Sequence, residues 1–147
     1  MAGRGAEPAA RPGGAVLFMS SIAGVVGFAG ASAYSTTKGA VENAVRALAL
    51  DAAPHGIRVN AIAPGNIRTA MNEDVLADPG YEREMIDRTP LGRIGVVEDI
   101  TPAAVFLVSD AASYITGTSL LIDGGWTASY ALMGAGTRSP AGVGTTA

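Results

Sequence analysis

Tyr34 and Lys38 stand four residues apart, and Ser21 stands thirteen residues before the tyrosine. Lys38 is the only lysine in the chain. On a helix, residues i and i+4 share a face, so a phenol and an ammonium at this spacing meet. A free tyrosine has a pKa of about 10, too high for proton exchange near neutrality. An ammonium about 4 Å away favours the phenolate by up to about 4 kcal/mol at an effective dielectric of about 20. That moves the phenol toward the range useful for general acid/base work. A serine hydroxyl delivered from a preceding strand would donate to the substrate oxygen and fix its position. The triplet therefore suits proton transfer to or from an alcohol or carbonyl oxygen.

The elements that must position these groups can be read on either side. Residues 15–19, Ala-Val-Leu-Phe-Met, are a short apolar run that predicts a strand buried on both faces of a parallel sheet. The run ends at Ser20-Ser21, the carboxyl end, where open α/β sheets place ligands. Residues 22–32 are a Gly/Ala loop at the mouth of the site. A helix is predicted over 33–53, with Ser32 as N-cap. Val41, Val45 and Leu48 continue the face begun by Tyr34 and Lys38, and Glu42 and Arg46 form an i, i+4 ion pair on the other side. Pro54 and Gly56 mark the exit, and His55 between them reads as a solvated turn residue. The next strand is predicted over 57–63, closed by Pro64-Gly65.

Residues 70–89 carry Glu73, Asp74, Asp78, Glu82, Glu84 and Asp87 and read as a polar helical excursion. They show no tight spacing for a metal. Met71 and Met85 within it face either substrate or core. Pro102 conflicts with a helix starting near Val97, since an interior proline costs roughly 3 kcal/mol. Thr101 as N-cap with Pro102 at the first helical position resolves the conflict. A last strand spans 119–123, before Gly124-Gly125, and Trp126 reads as packing. Residues 1–13 form an arm and 128–147 a disordered tail. The expected architecture is α/β: three parallel strands with helical crossovers, half of a doubly wound sheet.

These stretches resemble the short-chain dehydrogenase/reductase family over residues 14–127. The resemblance is carried by GAVLFMSSIAG (14–24), AYSTTKGAVENAVRALALDAA (33–53), GIRVNAIAPGNIRTAM (56–71), PLGRIGVVEDI (90–100) and SDAASYITGTSLLIDGGW (109–126). It implies a Rossmann-like domain and an NAD- or NADP-dependent oxidoreductase that interconverts a secondary alcohol and a ketone. It implies that Ser21 positions the substrate oxygen, that Tyr34 is the acid/base, and that Lys38 activates the tyrosine and holds the nicotinamide ribose. Pro64, Gly65, Ile67 and Thr69 would pass the nicotinamide, with Ile67 and Thr69 at its carboxamide side. Residues 70–89 would be a mobile lid.

The family's first half supplies a strand, a Thr-Gly-x-x-x-Gly-x-Gly turn and a helix whose N-terminus holds the pyrophosphate. Gly3-Arg4-Gly5 follows no strand and opens no apolar helix. The expectation is a truncated chain that binds NAD(P) weakly or not at all alone, acting as a homo-oligomer or with a complementing N-terminal-half chain. The competing reading is a non-catalytic remnant that serves as an oligomerisation or interaction module.

Composition bounds both readings. Apolar residues make up 48% and charged residues 16%, which indicates a globular segment. Net charge is −3 without a basic cluster, which argues against nucleic acid. There is no cysteine, hence no disulfide or thiol nucleophile, and one histidine leaves little for a metal. Arg4, Arg11, the uncharged stretch 12–37 and Ala31-Ser32-Ala33 outline a secretory signal. Glu7 in its basic region and the breaks at Ser20, Ser21, Gly24, Gly27 and Gly30 oppose it, leaving a cytoplasmic protein with no membrane span as the expectation.

Overall fold

The computed structural model describes residues 13–128. The expected arm and tail, apart from Gly13 and Ala128, lie outside the described residues. Three strands, β1 (Gly14–Met19), β2 (Ile57–Pro64) and β3 (Ser119–Ile122), form one sheet in the order β1-β2-β3. Both pairings are parallel, with Gly14 opposite Ile57 and Ala61 opposite Ser119. Helix α1 (Ser32–Ala52) crosses from β1 to β2. From β2 to β3 the chain passes through α2 (Glu73–Leu76), α3 (Pro79–Asp87) and α4 (Val97–Val108).

Central β2 is covered on both faces, and its side chains alternate as a strand requires. Val59 and Ala61 pack with Val45 and Ala49 of α1. Ile62 packs with Ile100 and Leu107 of α4. Each buried Val, Leu or Ile contributes about 1.5–3 kcal/mol, so these two clusters hold both helices against the sheet. On the α4 side, Asn60 donates to the Ile115 carbonyl and accepts from Thr118 N–H. Arg58 is buried and donates to the carbonyls of Leu107, Ser109 and Ile115. A cation at a helix C-terminus is stabilised by the helix dipole and the free carbonyls there.

Five expectations need correction. The strand predicted as buried on both faces, β1, is only half covered. Phe18 joins the α1 cluster and Leu17 the α4 cluster, but Val16 and Met19 remain 43% and 55% exposed. Helix α1 lies mainly against β2 while α4 reaches both strands, and together they leave Val16 and Met19 open. Ser32 is inside α1 rather than its N-cap, which is Ala31 and has no side-chain cap bond. Leu48 is exposed, because the buried face of α1 runs Val45, Ala49, Ala52. Glu42 is not on the solvent side: it is buried and accepts a 2.9 Å bond from the Ser119 hydroxyl, while Arg46 donates to the Glu42 carbonyl instead of its carboxylate.

The start of α4 is the fifth correction. The helix begins at Val97 and holds Pro102 inside it, not at its first position. Asp99 makes this start possible. Its carboxylate accepts from Val96 N–H, and Val96 C=O accepts from Asp99 N–H, a reciprocal cap. Thr101 hydroxyl donates to the Val97 carbonyl. Pro102 lies on the exposed face, where the carbonyl it leaves without a donor can meet water.

Candidate functional site

Lys38 Nζ donates to the Met19 carbonyl at 3.0 Å and lies 5.6 Å from the centroid of the Tyr34 ring, within range of a cation–π attraction. The first two turns of α1 thus bring both residues to the carboxyl end of β1. Ser21 follows β1 by two residues. Its Oγ accepts from Ala23 N–H at 3.1 Å and caps the short 3₁₀ turn Ile22–Gly24. That bond uses an acceptor pair and leaves the hydroxyl proton free to be donated. Tyr34 is 51% exposed, so its phenol is open to a ligand. Tyr34 and Lys38 are therefore paired at the carboxyl end of β1, and Ser21 stands in the turn that leaves that end.

Pro64, Gly65, Ile67 and Thr69 lie at the carboxyl end of β2, beside that place. Gly65 N–H donates to the Ile122 carbonyl, and a Cβ on Gly65 would sit 2.8 Å from Asp123 Cα. Only glycine permits this approach. Ile67 pairs with Gly95 as an isolated parallel bridge, flanked by Gly95 N–H to Asn66 and Arg68 N–H to Gly95. Asn72 holds the other side: it donates to the Ile67 carbonyl and accepts from Thr69 N–H and, at 3.3 Å, from the Thr69 hydroxyl. The Ile67 side chain packs toward Ile62 and Ile100, so only its main chain faces away from the core.

The segment expected as a lid is docked. Leu76 and Met85 form a buried cluster with Ile94, against which Ile86 and Trp126 pack. Trp126 stacks on Phe28, with centroids 6.3 Å apart, and the Arg88 guanidinium lies over the Trp126 ring, 5.7 Å from its centroid. Met85 fills core, as one of its two readings had it, whereas Met71 is 95% exposed. Arg68 of the β2 loop pairs with Glu82 of α3. Among the described residues no group of three His, Cys, Asp or Glu is placed to hold a metal. Nor is any described helix long and apolar enough to cross a membrane.

Two carboxylates hold the surrounding loops. Asp99 takes two bonds from Arg93, at 2.6 and 2.7 Å. Those bonds, with the Val96 N–H, hold its pKa down at about 2. Burial pushes Asp123 up, but bonds from the Thr127 hydroxyl and the N–H groups of Thr127 and Gly125 outweigh it and keep the group below its usual value. A cavity of about 160 Å³ lies between these loops, lined by Asn66, Arg93, Asp99 and Asp123, and none of Ser21, Tyr34 or Lys38 lines it. His55 is exposed at the exit of α1, as expected. Asn72 and Gly95 were not picked out from the sequence, and Glu42 was read only as half of a surface ion pair. Only Asn72, three residues beyond Thr69, carried a signal: an amide where an Asx turn can close.

Comparison with known proteins matches this geometry to one lineage. A family model described as enoyl-(acyl carrier protein) reductase matches residues 1–127. A tropinone reductase homolog of Arabidopsis thaliana is 46% identical over 114 residues, 78% of this chain and 44% of the relative. An L-rhamnose 1-dehydrogenase (NAD(P)(+)) of a Sphingomonas strain is 44% identical over 113 residues, 77% of this chain and 44% of the relative. The crystal structure of a gluconate 5-dehydrogenase from Burkholderia cenocepacia, in complex with NADP and tartrate, superposes with a TM-score of 0.77 at 32% identity. The likeness covers 79% of this chain and 46% of that one. The chain thus spans about half the length of the curated relatives it matches. The family model covers residues 1–127 and these curated relatives match more than three quarters of the chain at over 40% identity, so the chain belongs to the short-chain dehydrogenase/reductase family.

Proposed function

We propose that this chain carries the acid/base half of an NAD(P)-dependent oxidoreductase that interconverts a secondary alcohol and a ketone. The observation that carries the reading is the Lys38 ammonium held on the Met19 carbonyl and beside the Tyr34 ring. In reduction, Tyr34 gives its phenolic proton to the carbonyl oxygen; in oxidation, its phenolate takes the proton of the alcohol. Lys38 stabilises the phenolate by its charge. Ser21 donates its free proton to the substrate oxygen and fixes that oxygen against Tyr34.

The residues present fit a nicotinamide. Pro64 to Thr69 is a segment pinned by Gly95 and Asn72 at the carboxyl end of β2, and Tyr34 and Lys38 at the carboxyl end of the neighbouring strand would take the ribose. Bound there, NAD or NADP would supply or accept the hydride. The names of the relatives, an NAD(P)-dependent sugar dehydrogenase among them, support a hydroxylated small molecule as substrate.

A second reading, a non-catalytic interaction module, is favoured by the exposed apolar residues Leu50, Val105 and Phe106 on the outer faces of α1 and α4. Fluorescence titration with NADH and NADPH, and turnover assays on a panel of ketones and secondary alcohols, separate the two. The oxidoreductase reading expects weak cofactor binding by the chain alone, and ketone-dependent NAD(P)H oxidation once the chain is mixed with the N-terminal segment of a relative. Absence of turnover in that mixture would favour the module.

A further inference from the structure

The turn that carries Ser21 packs on the helix that carries Tyr34 and Lys38, and at Gly24 the approach leaves no room for a side chain. A Cβ built on Gly24 would lie 2.7 Å from both the carbonyl carbon and the oxygen of Lys38, and 3.1 Å from Cγ of Glu42. Backbone atoms cannot give way as a flexible side chain can. The φ of Gly24 is not positive, so space, and not backbone conformation, is what only glycine provides here. Gly27, in the same loop, has nothing within 4 Å of its position for a Cβ.

The helix cannot retreat to make room. Glu42 is buried one turn below Lys38 and tied to Ser119 of β3 at 2.9 Å. Ser20, also buried, lies with its Oγ 3.5 Å from the same Lys38 carbonyl. Lys38 Nζ is bonded to Met19, the last residue of β1 before this turn. Lys38 is thus gripped at both ends: at its carbonyl by Gly24 of the turn and at its ammonium by Met19, the last residue of β1.

We propose that Gly24 is a positioning residue of the site: its missing side chain lets the Ser21 turn seat on the Lys38 carbonyl, and this seat sets the ammonium beside the Tyr34 ring. The proposal rests on the oxidoreductase reading for its catalytic meaning, but its geometry is tested without turnover. Adding one methyl at Gly24 must part the turn from the Lys38 carbonyl, and with Met19 held in the sheet opposite Ile62 the parting changes the reach from Lys38 to the Met19 carbonyl.

The single lysine makes the test direct. Protein labelled with ¹³C-lysine gives one side-chain Cε/Hε signal. In the native chain this signal is expected upfield of free lysine, by the ring current of Tyr34, and Tyr34→Leu should remove the displacement. Gly24→Ala should move the signal to the position of free lysine, while Gly27→Ala leaves it in place. A folded Gly24→Ala protein that keeps the native signal overturns the proposal. If Gly24→Ala does not fold, the native protein decides: a lysine signal at the free position shows that nothing holds Lys38. Absence of turnover in every protein would count against the oxidoreductase reading alone, because the lysine signal reports on the seat whether or not the chain is active.

Discussion

At the scale of residues, charge is placed for two purposes. One is the pairing of Lys38 with Tyr34. The other is the two-pronged bond between Arg93 and Asp99, which ties the loop before α4 to the first turn of that helix. The Asp99 carboxyl titrates at about 2, below its ordinary 3.8. A carboxyl depressed on folding stabilises the protein above the ordinary value, and this contribution disappears as pH falls through the depressed one. Asp99→Asn should therefore lower the melting temperature at pH 7. The gap from the native protein should narrow between about pH 4 and pH 2. Melting curves across that range check this, and a gap that does not change with pH would contradict it. The Tyr/Lys pair itself was legible because its spacing is helical and the chain has no other lysine. The partner of Lys38 in the fold, the Met19 carbonyl, was not, because main-chain acceptors leave no mark in a sequence.

At the scale of elements, the apolar pattern located the three strands and α1 to within a residue, and errors fell where polar residues decide. Glu42 reads as one half of a surface ion pair by spacing alone. Its burial follows from Ser119, which is 77 residues away and supplies the hydroxyl. Arg58 and Asn60 read as ordinary members of a strand, yet their side chains satisfy the carbonyls at the end of α4 and the loop that follows. Pro102 argued for a later start of α4, but the Asp99 cap and the packing of Ile100 against Ile62 and Leu107 outweigh the lost bond. The cost should still be present. Pro102→Ala restores a donor for the preceding turn and removes the ring clash, offset by about 0.4–1 kcal/mol of chain entropy. A net gain of about 2 kcal/mol is expected. Urea unfolding measures it, and unchanged stability would show that the helix has already relaxed around the ring.

At the scale of the whole molecule, β1 and β3 are the edges of the three-stranded sheet, and β1 presents Val16 and Met19 to solvent. Leu50 is 77% exposed and Val105 59%. Apolar edges and patches of this kind pair with other chains. The chain is expected to form a homo-oligomer, or a complex with an N-terminal-half partner, rather than a stable monomer. Sedimentation at low micromolar concentration tests this, and a single cooperative monomeric species would contradict it. The three parallel strands and their order with the helices were legible as a pattern. The half-covered state of β1 was not, since an apolar run reads the same whether or not a neighbour lies beside it.

The central claim is that Tyr34 moves the proton. General acid/base groups contribute about 10²–10⁴-fold to rate, so Tyr34→Phe should lose at least that much in kcat while its circular dichroism and melting stay native, since the hydroxyl is exposed and holds no core. Lys38→Met should be nearly as severe, and Ser21→Ala less so. The direct measurement is kcat for ketone reduction by the native and Tyr34→Phe proteins, each complemented in the same way. Loss of turnover with an intact fold is the result this account predicts. Turnover by Tyr34→Phe close to native, on any ketone the native protein accepts, would contradict it.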